Sequence, residues 1–252
     1  FVLVVPLLTA LAVNLFGRSR RQLIAPLVLG SLAFSVLGAI VVMGRVLSDG
    51  TISYTVGNWQ PPYGIQLVVD PLSAMMMVLV SVVALLASFS ALKSVEQELP
   101  GREAFFFTLY LILVAGLHGL VVTADAFNLY VLLEITSITT YGLVAMGRGR
   151  AALSSFNYII MGTIGATFYL IGVGLIYMMT GTLNLADMEL RIHEVADQKP
   201  ILAAAGFITV GLALKAAMFP LHVWLPNAYT YAPHIVTAFM AACATKVSLY
   251  VL

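Results

Sequence analysis

The sequence predicts an all-α, polytopic membrane protein of about eight transmembrane helices, and three observations carry that prediction. Hydrophobic residues make up 61% of the 252 residues and charged residues only 9%, far from the balance of a soluble domain. Mean hydropathy is +1.02. The apolar residues also fall in runs close to the roughly 20 residues that a helix needs to cross a hydrocarbon core about 30 Å thick. With a net charge of +1, the chain lacks the basic surplus by which nucleic-acid binders neutralise phosphates, so nucleic acid is excluded as a partner and the lipid bilayer takes its place. The single cysteine, Cys243, cannot close an internal disulfide, and no Cys/His cluster has metal-ligand spacing. Neither a metal nor another cofactor is expected.

Taken in order, the runs place spans at about 1–16, 23–47, 70–92, 104–123, 126–146, 154–179, 201–219 and 231–252. The sequence opens within one apolar run and stops within another, and reads as part of a longer protein with a clipped first helix. Between the second and third spans, Ile52, Tyr54 and Val56, then Ile65, Leu67 and Val69, alternate with a period of two around Pro61 and Pro62. That alternation predicts a surface hairpin over 51–69. Lys and Arg in the connecting loops set the orientation. Arg18, Arg20, Arg21, Lys93, Arg102, Arg148 and Arg150 fall on one side, and Arg45, Arg191 and Lys199 on the other. The first side is therefore cytoplasmic, and the hairpin and the 180–200 loop are external.

Four ionisable groups lie well inside predicted spans: His118, Glu134, Lys215 and Lys246. At a helix centre a Lys or Asp costs at least about 2.5–3.5 kcal/mol, so something must compensate each. Glu134 is nine residues past Asp125, roughly 14 Å into its helix at 1.5 Å per residue, close to the midplane. Lys215 and Lys246 lie fifteen and thirteen residues beyond Pro200 and Pro233, each roughly 20 Å into its span. Intramembrane charges of this kind mark ion pathways. The competing reading for Glu134 and Lys215 is a structural pair that only fixes helix register. For Lys246 it is a snorkelling side chain, for His118 a hydrogen-bonded packing residue, and for His222 and His234 ordinary loop histidines.

The stretch "LKAAMFPLHVWLP" sets Lys215 five residues before a proline. Pro220 has no N–H for the carbonyl of Ala216, so the helix is expected to open one residue after Lys215, and Pro226 to do the same at His222. Carbonyls freed at membrane depth persist only where protein or water satisfies them, which predicts a hydrated pocket beside the Lys215 ammonium. Thr136, Ser137, Thr139 and Thr140, just beyond Glu134, are candidates to line it, with ordinary small-residue packing as the alternative.

These residues resemble a known family. "LKAAMFPLHVWLPNAYTYAPHIVTAFMAACATKVSLY" is similar to the lysine-bearing seventh and eighth helices of the antiporter-like subunits shared by respiratory complex I, membrane-bound hydrogenases and Mrp-type cation/proton antiporters. "DAFNLYVLLEI" resembles their fifth helix with its buried glutamate, and "YGIQLVVDPLSAMMM" their approach to the third. Complex I members commonly carry Asp after "WLP"; Asn227 here looks more like the D-type subunits of Mrp antiporters. The resemblance implies two inverted five-helix repeats, each with a broken helix, a general transporter device. Residues 1–103 would hold spans one to three, and 104–252 the first repeat, spans four to eight, with the second repeat missing. It further implies a multi-pass subunit of a prokaryotic inner-membrane complex, partnered by other membrane subunits, including a neighbouring antiporter-like one. Its cargo would be protons with or without Na+, its parent an antiporter, a hydrogenase or an NADH/ferredoxin oxidoreductase, with no redox chemistry of its own. Carried over by position, Glu134 is the fifth-helix acid, Lys215 the broken-helix lysine and Lys246 the relay lysine, with His118 extending the wire and Asp125, Thr136, Thr140, His222 and His234 as auxiliary candidates. The alternatives from other classes are a structural scaffold and a membrane-embedded enzyme with a quinone site near Trp59 or Trp224.

Overall fold

A helix end leaves backbone groups unpaired, and residues able to satisfy or release them bound each apolar run. They set the element order of the computed structural model, which describes residues 1–17 and 19–252. Arg18, counted with the basic residues of the first side, lies outside the described residues. Helix α1 spans Val4–Phe16, and a 3-10 turn at Arg21–Leu23 leads into α2, Ile24–Asp49, which Gly50 ends at φ +87. Strands β1 (Ile52–Thr55) and β2 (Gln66–Val69) pair antiparallel, with Ile52 opposite Val69. Asp70 then opens α3, Pro71–Glu98, through a reciprocal capping box with Ser73. The Ser73 amide holds the Asp70 carboxyl below the usual carboxylate range.

Helix α4 (Glu103–Val122) is buried over almost its whole length, as expected of a helix apolar all round. Asp125 caps α5 (Ala126–Ala145) by accepting from the Asn128 amide at 2.6 Å. Helix α6 (Ala151–Thr180) ends at Gly181 in the left-handed region, and Asn184 caps α7 (Leu185–Val195). Helix α8 (Lys199–Lys215) packs along α6. Glycines allow this close approach: a Cβ on Gly211 would sit 2.6 Å from the Gly165 carbonyl oxygen. After a break come α9 (Trp224–Tyr231), α10 (His234–Phe239), a π-helical turn (Met240–Ala244) and α11 (Thr245–Val251).

Six described helices are long and apolar enough to cross a membrane: Arg21–Asp49, α3, α4, α5, α6 and the His234–Val251 stack. The other two expected spans are shorter, 13 residues in α1 and 17 in α8. For α8 the reason is the break, which ends the helix four residues before the expected limit of 219. Large side chains such as Leu37, Leu86, Ile138, Met178 and Leu202 are exposed, the outward apolar surface of a membrane-embedded, multi-pass bundle.

At one end of the bundle the irregular links interlock. Leu67 of β2 bridges Thr123, and Asp125 bridges Asn184. The Ala124 amide donates to the Gln66 carbonyl, the Leu185 amide to Ala124, and Asn184 Nδ2 to Gln66 Oε1 at 2.9 Å. The opposite end carries the arginines: Arg21 pairs with Glu103 at 3.4 Å, and Arg148 reaches the carbonyl of Glu98.

Candidate functional site

The helix break determines where Lys215 can go. Lys215 is the last residue of α8, followed by Ala216 and by Ala217 at φ +54, and the Met218 amide donates to the Ala213 carbonyl. Pro220 lies within the break. Pro226 does not act as expected: it is the third residue of α9, in the first turn, where its missing N–H has no intrahelical partner to lose. It starts a helix instead of opening one. The broken end is held by Trp224, whose indole N–H donates to the Leu214 carbonyl at 3.2 Å while its ring stacks on Tyr158 at 4.0 Å.

Held there, Lys215 is buried, with 5% of its side chain exposed. Its Nζ donates to Glu134 Oε1 at 3.1 Å and to Ser137 Oγ at 2.6 Å. The partners lie on α5 one helical turn apart, so a single ammonium bridges both. Glu134 is less enclosed, with 24% of its side chain exposed, and so connects the interior with the outer surface of this chain. A cavity of about 30 Å³ adjoins the ammonium, lined by Thr136, Ser137, Thr140, Tyr158 and Ser248 among others. Its volume admits a water molecule, which needs at least about 10–15 Å³ and polar partners.

Thr136 and Thr140 therefore meet Lys215 at this cavity, although their hydroxyls, like that of Thr139, donate back to α5 carbonyls. The remaining candidates sit elsewhere. His118 is fully buried between α3 and α4, its Nε2 2.8 Å from Ser81 Oγ, and Nδ1 meets no partner among the described residues. Asp125 belongs to the interlocked links. His222 lies in the break against the Phe219 ring. His234 begins α10, exposed, at the mouth of a cavity of about 350 Å³ shared with Arg148 and Tyr231.

Lys246 departs from the expectation of a buried axis. It is exposed, and its Nζ donates to the Ala241 carbonyl at 2.6 Å. Helical periodicity explains this: Cys243 and Val247 face the core, so Lys246, about a quarter turn away, faces out. Sequence reasoning missed Tyr141 and Tyr158. Tyr158 had no local signal, whereas Tyr141 stands four residues past Ser137 on the same helix face, a spacing that could have identified it.

Fold and site together define a membrane-embedded helical bundle with an interior lysine–carboxylate pair at a broken helix. The chain belongs to the family of transmembrane proteins described as NADH:quinone oxidoreductase/Mrp antiporter, whose model matches residues 123–252. It is 41% identical over its full length to the N subunit of the NADH-quinone oxidoreductase of Desulforudis audaxviator, covering 50% of that protein. It is 33% identical over 86% of its length to the D-type subunit of the Na(+)/H(+) antiporter of Alkalihalophilus pseudofirmus, covering 45% of it. Among solved structures, a chain of the membrane-bound sulfane sulfur reductase, an archaeal respiratory membrane complex, superimposes with a TM-score of 0.93 at 34% identity. That match covers 99% of this chain and 51% of the other. The chain thus spans about half the length of the relatives it matches. Complex I and Mrp members both occur among them.

Proposed function

We propose that this chain is the proton-moving part of an antiporter-like subunit in a multisubunit complex of a prokaryotic cytoplasmic membrane, with Glu134 and Lys215 as its switch. The observation that carries the reading is the 3.1 Å contact between a buried ammonium and a partly exposed carboxylate at a helix break, beside a water-sized cavity. A buried ammonium needs a compensating anion, and Glu134 supplies it. While Glu134 stays close, Lys215 holds its proton. When a cation on a neighbouring antiporter-like subunit draws Glu134 to the surface it already reaches, the ammonium loses its anion. It then releases the proton into the hydroxyl-lined cavity.

The cavity touches Ala244 and Ser248, which bracket Lys246. Lys246 then takes the proton at the surface of this chain, where further protein covers it. Residues 104–252 serve as the repeat that carries the switch, and residues 1–103 as its packing partner. Where the complex is an antiporter the counter-ion is a monovalent cation, Na+ or K+ as in the names of its relatives. His118 stands apart from this route, joined to Ser81.

A paired substitution tests the proposal against a purely structural role. Changing Glu134→Leu together with Lys215→Met leaves no unpaired charge, so the fold is expected to persist or gain stability. In the native complex reconstituted in vesicles with an internal pH dye, the pair is expected to lower proton flux by at least about tenfold, 1.4 kcal/mol in barrier terms. Unchanged flux would favour the scaffold.

A further inference from the structure

Three of the four serine and threonine hydroxyls that follow Glu134 on α5 are committed to their own helix: Thr136, Thr139 and Thr140 each donate to a carbonyl three or four residues back. Ser137 differs. Its oxygen accepts from Lys215 at 2.6 Å, so its own proton is available to a further acceptor. The next residue on the same face is Tyr141, whose side chain is buried, 6% exposed, and whose hydroxyl meets no partner among the described residues. An unpaired buried hydroxyl is costly, which favours a partner for it. Ser137 and Tyr141 are four residues apart on α5 and so share a helix face, and no hydrogen bond joins them directly.

The surroundings hold this hydroxyl in place. A Cβ on Gly162 of α6 would stand 1.8 Å from the Tyr141 oxygen, so the absence of a side chain there makes room for it. The ring meets Tyr158 edge-on at 4.6 Å, and Tyr158 stacks on Trp224. Toward the arginine-bearing end, Met146 follows five residues later, roughly 7.5 Å along the helix, and lines the cavity of about 350 Å³ that holds His234 and Arg148. Along α5, Tyr141 thus lies between the Lys215–Ser137 contact and Met146 at the edge of that cavity.

We infer that Tyr141 is a proton-relay residue, carrying protons from the Arg148–His234 cavity to Lys215 through Ser137. In the transfer the Tyr141 hydroxyl gives its proton to Ser137 Oγ, Ser137 gives its own to the deprotonated Nζ, and Tyr141 is reprotonated from the cavity side. Neither hydroxyl gains or loses a net proton. A rotation of the Ser137 hydroxyl or one bridging water closes the remaining gap. The inference rests on the proposed Glu134–Lys215 switch and adds the route by which that switch is reloaded.

Tyr141→Phe removes only the oxygen and keeps the ring against Tyr158. In the reconstituted native complex it is expected to slow proton flux by about tenfold or more, with assembly unchanged and a changed solvent deuterium isotope effect, which packing alone would not move. Gly162→Ala, which displaces the hydroxyl, should produce the same two changes. Wild-type flux and isotope effect in Tyr141→Phe would overturn the relay. If Lys215→Ala still abolishes flux in that case, the relay fails and the switch stands; if Lys215→Ala is also silent, both fail.

Discussion

Lys215→Ala is expected to leave the complex assembled and proton transport abolished. Lys215 supplies the ammonium at the break, and its two contacts, to Glu134 at 3.1 Å and Ser137 at 2.6 Å, disappear together. Removing one member of a fully buried ion pair costs about 3–5 kcal/mol. The cost is smaller here, because Glu134 exposes 24% of its side chain and the pair is not fully buried. The break itself persists, since Trp224 holds the Leu214 carbonyl and Pro220 stays in place. Vesicles containing the variant complex should show background proton flux with normal subunit content. Normal flux would remove Lys215 from the mechanism.

Glu134→Ala is the second large effect expected, with transport again lost or reduced by at least about tenfold. Its cause differs. Lys215 keeps Ser137 but has no anion to hold its charge at membrane depth, and an uncompensated buried charge is the costlier half of a broken pair. Glu134→Gln separates charge from shape, because the amide can still accept from Lys215. Loss of flux in both variants points to the charge, whereas retention in the glutamine variant would reduce Glu134 to a hydrogen-bonding group. The readouts are proton flux and subunit content, as for Lys215.

Much of this architecture is legible in the sequence because the elements that build it are local. Asp70 and Asp125 precede the apolar runs they cap, Gly50 follows the helix it ends, and the period-two alternation at 52–69 becomes two paired strands. The place of Glu134 within its helix is legible as well, since counting from the Asp125 cap puts it inside α5. Its meeting with Lys215 is not, because 81 residues separate them and only the packing of distant helices makes them neighbours.

The sequence misleads where tertiary context overrides a local rule. Pro226 breaks helices in general but is harmless in a first turn. Lys246 lies in an apolar run as if buried, yet which face points inward depends on what Cys243 and Val247 pack against. His118 stands out as an isolated histidine, while its partner, Ser81, is one serine among several on α3.

The central claim is that Lys215 works by giving up and regaining a proton, and Lys215→Arg tests it most directly. Arginine keeps the positive charge and can keep a bond to Glu134, but it does not release its proton under working conditions. In vesicles carrying the native complex, the arginine variant is expected to assemble normally and to show proton flux no higher than Lys215→Ala. Flux at the wild-type rate would contradict the account, because a fixed charge at that position would then be sufficient.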